Sequence, residues 1–218
     1  MPTIESARNW YPENDPIHGF GHILRVYRLA ERLAEAEGAD LEIVRAAALL
    51  HDAGKSSDQI TKPEDQFASR RIHHYNSAKI ADEVLQSESW PRQRIEAVQH
   101  CIRAHRFRDE SEQPSTIEAK VLFDADKLDA IGAIGVARAI AYAAREHQPI
   151  YAAPSERFMC IGEKEPEEPH SAYHEYLFKL RKLKERMFTK TGRALAEERH
   201  RFMETFFEQL EAEVLGRQ

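Results

Sequence analysis

Apolar residues along this chain recur at three- and four-residue intervals, the spacing of one helical face. From His22, the residues Val26, Leu29 and Leu33 fall at i+4, i+7 and i+11, and Gly38 supplies a stop. Residues 41–54, LEIVRAAALLHDAG, predict a second and largely apolar helix, with Asp40 as N-cap and Gly54 as its end. The stretch 56–72 is polar, contains Pro63 and keeps no period, which predicts a loop or lid. A third helix is expected over 75–87, with Ala78, Ala81, Val84 and Leu85 inward. Pro91 opens a fourth, with Ile95, Val98 and Ile102 in one stripe. Pro114 and Ser115 precede a fifth helical run over 116–145, in which Gly132 and Gly135 mark close packing or a kink. Residues 147–172 hold four of the ten prolines and predict a surface excursion. The tail, 173–215, returns to helix, with one stripe of Tyr176, Leu180 and Leu183 and another of Ala194, Phe202, Phe206 and Leu210. No strand-like alternation and no internal repeat breaks this pattern. The expected fold class is all-α: an N-terminal segment (1–16), a helical core (17–146), the excursion (147–172) and a C-terminal helical region (173–218) packed back on the same domain.

Composition narrows the function classes. The 218 residues carry 31 Lys+Arg against 37 Asp+Glu, net −6, whereas a nucleic-acid-binding surface shows a basic balance. No apolar run approaches the roughly 20 residues of a membrane span, and the first residues lack a signal-peptide pattern. Cys101 and Cys160 form no CxxC pair, which fits reduced thiols in a cytoplasmic chain. The apolar tail either folds back or meets a second copy, so monomer and homodimer both stay open. There are also 11 histidines, most of them before residue 106. That clustering turns the question toward chemistry.

Val44, Ala48 and His51 share one helical face, so His51 projects inward, with Asp52 about 100° round the helix. His22 lies on the apolar face of the preceding helix, and Asp126 sits one turn after Leu122 on another apolar helix. A buried carboxylate costs several kcal/mol unless it is paired or binds a metal. Two imidazoles and two carboxylates suit Mn²⁺, Fe²⁺, Mg²⁺ or Zn²⁺, and the lack of thiolates argues against a structural zinc site.

The order His22, His51-Asp52, Asp126 resembles the H…HD…D signature of the HD-domain metal-dependent phosphohydrolases. The surrounding segments strengthen it: HGFGHILRVYRLA (18–30), LLHDAGK (49–55), AVQHCIRAH (97–105) and EAKVLFDADKLDAIGAIGVARA (118–139). With the tail 178–210, they resemble the YedJ/YpgQ-type branch over residues 15–213. The resemblance implies that His22, His51, Asp52 and Asp126 hold one divalent ion, with Mn, Mg, Fe, Co, Ni and Zn all open. Asp124 competes within the same DAD triplet. Asp126 is preferred because the family's ligand precedes a basic and an apolar residue, here Lys127-Leu128.

The implied reaction is hydrolysis of a phosphate ester or anhydride in a small-molecule substrate, often a nucleotide, by metal-activated water. Cleavage of a nucleoside triphosphate to monophosphate and pyrophosphate is among the implied activities. Asp52 would orient the water or take its proton, and His73, His74, His100 or His105 would protonate the leaving oxygen. Lys55, Lys127 and Arg25 are the expected phosphate clamps, with Lys62, Arg70 and Arg71 in or beside the loop. His18, one helical turn before His22, lines the entrance. Relatives commonly read His-Ser-Phe where this chain has His105-Arg106-Phe107, so Arg106 adds a positive charge beside the site. His73 also matches a position that holds a second metal in some HD proteins, with His100 to complete it. His100 and His105 diverge by about 140° on a helix, so one ion does not take both. Two alternatives therefore stand beside the single-metal hydrolase: a dinuclear iron protein, hydrolase or oxygenase, and a catalytically weak nucleotide-binding regulator.

Overall fold

The computed structural model describes residues 1–11, 19–54, 63–107 and 112–217, the side chains of 63–71 excepted. Its helices are α1 (Ile4–Ala7), α2 (Phe20–Glu37), α3 (Leu41–Leu50), α4 (Pro63–Ser87), α5 (Arg92–Ala104), α6 (Ile117–Leu128), α7 (Gly132–Arg145), α8 (Glu156–Ile161), α9 (Ala172–Phe178) and α10 (Lys190–Val214). Two 3₁₀ turns, Arg8–Trp10 and Leu180–Arg186, join them, and no strand occurs among the described residues. The fold is all-α. No described helix is long and apolar enough to cross a membrane.

The chain divides into two compact units, Met1–Asp126 with Phe188–Gly192, and Lys127–Met187 with Arg193–Gln218. In the first, α3 packs against α1, α2, α4 and α5. Its sequence explains that central place: Ile43, Val44 and all of 46–50 are buried, and a helix apolar on nearly every side needs neighbours all round. Asp40 caps it, accepting from the backbone N–H of Glu42 and Ile43, while Arg94 of α5 grips the same carboxylate at 2.9 and 3.0 Å. Tyr11 packs against Ile23 and Leu49 and donates its hydroxyl to the Leu49 carbonyl at 2.7 Å.

Two close approaches shape this unit. After α3 the chain turns through Gly54, whose N–H donates to Ser77 Oγ at 2.9 Å. A Cβ there would stand 2.5 Å from the Ser77 backbone nitrogen, so only glycine lets α4 come this close. Asp124 of α6 is fully buried and accepts from Phe188 N–H (2.9 Å), Thr189 N–H (2.8 Å) and Thr189 Oγ1 (2.7 Å). Phe188 in turn lies edge-on to Phe123.

In the second unit, Glu168 ties Ser155, Glu165 and His174 together. Its carboxylate accepts from Ser155 N–H (2.8 Å), Ser155 Oγ (2.7 Å) and Glu165 N–H (2.7 Å), and faces His174 Nε2 at 3.0 Å. On α10, Met203 and Phe207 are buried, and Phe207 stacks on Tyr176 at 4.3 Å.

The structure corrects three expectations and adds a helix inside the excursion. Residues 63–72 are helix, not loop: Pro63 starts α4, as proline does at a first helical position, and polar composition hid the helix. Residues 56–62 lie outside the described residues. The run 116–145 is two helices, not one, broken where Gly132 takes φ +76°. The excursion 147–172 contains a helix, α8, capped by Ser155 and closed by Gly162. On α10 the buried stripe is Ala196, His200, Met203 and Phe207; Ala194 and Phe202 are exposed, so the expected face was out of phase.

Candidate metal centre

Two histidines reach the centre of the first unit by the same device. His51 follows the last residue of α3 and His105 the last of α5, each as the C-cap in right-handed helical geometry. Each ring turns its Nδ1 back onto the carbonyl three residues earlier, His51 onto Ala48 at 2.8 Å and His105 onto Ile102 at 2.5 Å. A carbonyl only accepts, so each Nδ1 carries the proton and each Nε2 offers a lone pair. The rings meet edge to face at 5.1 Å.

Both lone pairs run toward Asp52, itself 2% exposed. Oδ2 of Asp52 lies 3.6 Å from His51 Nε2 and 3.8 Å from His22 Nε2. Oδ1 lies 3.2 Å from His73 Nε2 and 3.8 Å from His105 Nε2. Asp126 Oδ1 completes the first face, 3.5 Å from His22 Nε2 and 3.9 Å from His51 Nε2. Ligand atoms therefore converge in two trios that share Asp52: His22–His51–Asp52 and Asp52–His73–His105. The separations within the first trio and to Asp126 approach those of donors gathered about one ion at roughly 2.0–2.2 Å.

His51 shows why a cation fits. The residue is fully buried, and its Nε2 has no hydrogen-bond partner among the described residues. Burial holds its imidazole below the ordinary range, against the pull of Asp52 and Asp126, so the ring is neutral. A neutral ring with a buried lone pair facing two carboxylates is repulsive by itself and favourable once a divalent cation sits among them. The α3 and α5 C-termini, negative ends of two helix dipoles, add to that preference. Burial also raises the Tyr11 hydroxyl, helped by the Asp52 charge beside it.

The other expected residues separate. His73 is buried and touches Asp52, whereas His100 is spent elsewhere: Nδ1 pairs with Glu112 at 2.5 Å and Nε2 accepts from the Ser115 N–H at 3.2 Å. The structure does not bring His100 into either trio. Burial, with His73 and Arg106 beside it, pushes His74 down to about 4, which leaves it unprotonated at neutral pH and unsuited to donate a proton. Arg106 contacts His73 Nδ1 at 3.1 Å. Arg25 lies half-buried on α2, and Lys127 follows Asp126 on α6. His18, Lys55, Lys62 and the side chains of Arg70 and Arg71 lie outside the described residues. Asp124, the rival acid, is committed to the backbone of residues 188–189. Sequence reasoning missed Tyr11, Ser77 and Glu112. The aromatic run Trp10-Tyr11 was a usable signal for the first; nothing local marked the other two.

The matches to known proteins agree with this geometry. The model of the HD domain family matches residues 19–131, more than half of the chain. The uncharacterized protein YpgQ of Bacillus subtilis is 35% identical over 225 aligned positions, covering 99% of this chain and 96% of that protein. The crystal structure of Bacillus subtilis YpgQ in complex with ADP superposes with TM-score 0.70 at 33% identity, over 99% of this chain and 100% of that one. An HD-superfamily hydrolase from Bacillus thuringiensis gives TM-score 0.67 at 29% identity, over 96% and 95%. A histidine from α2, a His-Asp pair closing α3 and an aspartate from α6, gathered in this order within the matched residues, place the chain in the HD-domain superfamily, in the branch of YpgQ.

Proposed function

We propose that this protein is a divalent-metal-dependent phosphohydrolase acting on a nucleotide, with His22, His51, Asp52 and Asp126 holding the ion. The observation that carries the reading is the buried Nε2 of His51, aimed at two carboxylates and answered by no protein donor among the described residues. The nucleotide part draws on YpgQ, whose structure was obtained with ADP. Nucleoside triphosphate pyrophosphohydrolysis is the narrower form of this reading.

A bound divalent ion would supply Lewis acidity toward a phosphoryl oxygen and acidify water. The chain's own residues divide the remaining work. Asp52 orients the attacking water and accepts its proton. His73 and His105, flanking Oδ1 of Asp52, stand nearest that proton. Arg25, Lys55, Arg106 and Lys127 supply positive charge for the phosphates, and His18 the entrance. His100 is tied to Glu112 and Ser115 and stands in neither trio about Asp52.

A second reading, a dinuclear iron hydrolase or oxygenase, rests on one observation: each oxygen of Asp52 faces its own pair of histidines. One experiment tests both. Protein purified without a chelating column is weighed for metals by elemental mass spectrometry, then assayed on a nucleotide panel with the ion found. About one equivalent of a divalent ion, lost in His51→Ala, and phosphate or pyrophosphate release support the hydrolase. Two equivalents of iron move the assignment to the dinuclear class. No metal after incubation with manganese overturns the mechanism and leaves a nucleotide-binding regulator.

A further inference from the structure

Three of the histidines facing Asp52, at the ends of α3 and α5 and on α4, all present Nε2 to it, yet their Nδ1 atoms meet different partners. His51 and His105 turn Nδ1 onto carbonyl oxygens. His73 turns Nδ1 onto the Arg106 guanidinium, 3.1 Å from Nη1. A guanidinium stays charged and only donates, so Nδ1 of His73 must accept. A neutral His73 therefore carries its proton on Nε2, the tautomer opposite to its neighbours. That Nε2 lies 3.2 Å from Asp52 Oδ1, an acceptor.

We infer that Arg106 is a positioning residue which locks His73 in the Nε2–H form and so keeps it from ligating a metal through Nε2. A metal ligand must offer a lone pair, and the partner of the other ring nitrogen decides where that lone pair is. With its proton on Nε2, His73 has no lone pair there to give a cation. The Asp52–His73–His105 trio, which by residue type alone passes for a second cation site, is then a proton-bearing group beside a single site. The guanidinium also places a fixed positive charge beside the trio, where a second cation would be repelled. The consequence for metal count rests on the hydrolase reading above; the tautomer does not.

The tautomer is read in metal-free, ¹⁵N-labelled full-length protein by long-range ¹H–¹⁵N spectra, with His73→Gln identifying the ring. The expected result is a His73 with Nδ1 bare and Nε2 protonated in the wild type and in Arg106→Lys, which keeps a donor. In Arg106→Ala the Nδ1–H form appears. Manganese bound after gel filtration is counted in parallel: one equivalent in the wild type and Arg106→Lys, and two in Arg106→Ala. A protonated Nδ1 in the wild type overturns the inference. So does an unchanged tautomer in Arg106→Ala, or a second manganese held equally well by the wild type. A wild type that binds no manganese overturns the hydrolase reading and the metal-count consequence together, while the metal-free spectra still decide the role of Arg106.

Discussion

Two buried imidazole–carboxylate clusters, one in each unit, share their residue types and differ in what answers them. In the second unit every side-chain atom of His174 and Glu168 that can bond has a partner. His174 Nδ1 meets Ser171 Oγ at 2.7 Å and its Nε2 meets Glu168, which also takes two backbone N–H groups and the Ser155 hydroxyl. In the first unit His51 is just as deeply buried, and its Nε2 points at carboxylates that cannot donate to it. The second-unit cluster folds a proline-rich segment and is complete as it stands. The first is arranged for something positive. Burial and composition do not separate these two histidines; the group that each Nε2 faces does.

The comparison breaks most sharply at Asp52. Asp52→Ala is expected to lower turnover by about 10³-fold or more and to abolish metal binding, with helicity by circular dichroism preserved. Turnover retained with metal bound would sink its assignment. Asp126→Asn and Asp124→Ala divide the DAD triplet. The first should lose metal with little change in stability. The second should keep metal per folded molecule and lose about 3 kcal/mol in urea denaturation, because three hydrogen bonds to a buried carboxylate go.

Smaller effects sharpen it further. Saturating metal at about 100 times its dissociation constant should add about 2.7 kcal/mol of stability to the wild type, removable by chelator and missing in His51→Ala. Gly54→Ala should push α4 away and carry His73 from Asp52, lowering kcat with the metal count unchanged. The least effect is expected at Glu168. Its hydrogen bonds from Ser155, with help from His174, bring its carboxyl down to about 2 from an ordinary 4.5. A lowered carboxyl adds stability above its unfolded value and loses it as pH falls through the folded one. The melting temperature should therefore drop between about pH 4.5 and pH 2 in the wild type, less steeply in Glu168→Gln. Equal slopes would remove Glu168 from the account.

The sequence pattern located what repeats with the helical period. His22 and His51 stood out as polar groups on apolar faces, and α2, α3 and α5 followed from their stripes. What it missed depended on partners distant along the chain. The start of α4 carries no apolar stripe, so its polar residues read as loop. The phase of α10 slipped because aromatic residues lie on both sides of it, Phe202 exposed and Phe207 buried. Preference for Asp126 over Asp124 came from family resemblance; only the backbone of residues 188–189 shows what occupies Asp124. The opposite tautomers of His73 and His105 are invisible in sequence, since each depends on which group meets Nδ1.

The clasp on Asp124 limits how this protein can be cut. The family match ends at residue 131, yet the backbone groups that satisfy Asp124 come from residues 188–189. A fragment trimmed to the matched region would leave a buried carboxylate without three of its donors, two residues from Asp126. The first unit is thus not a contiguous cassette: a fusion, a split reporter or a minimal crystallisation fragment must retain Phe188–Gly192 to keep α6 in place.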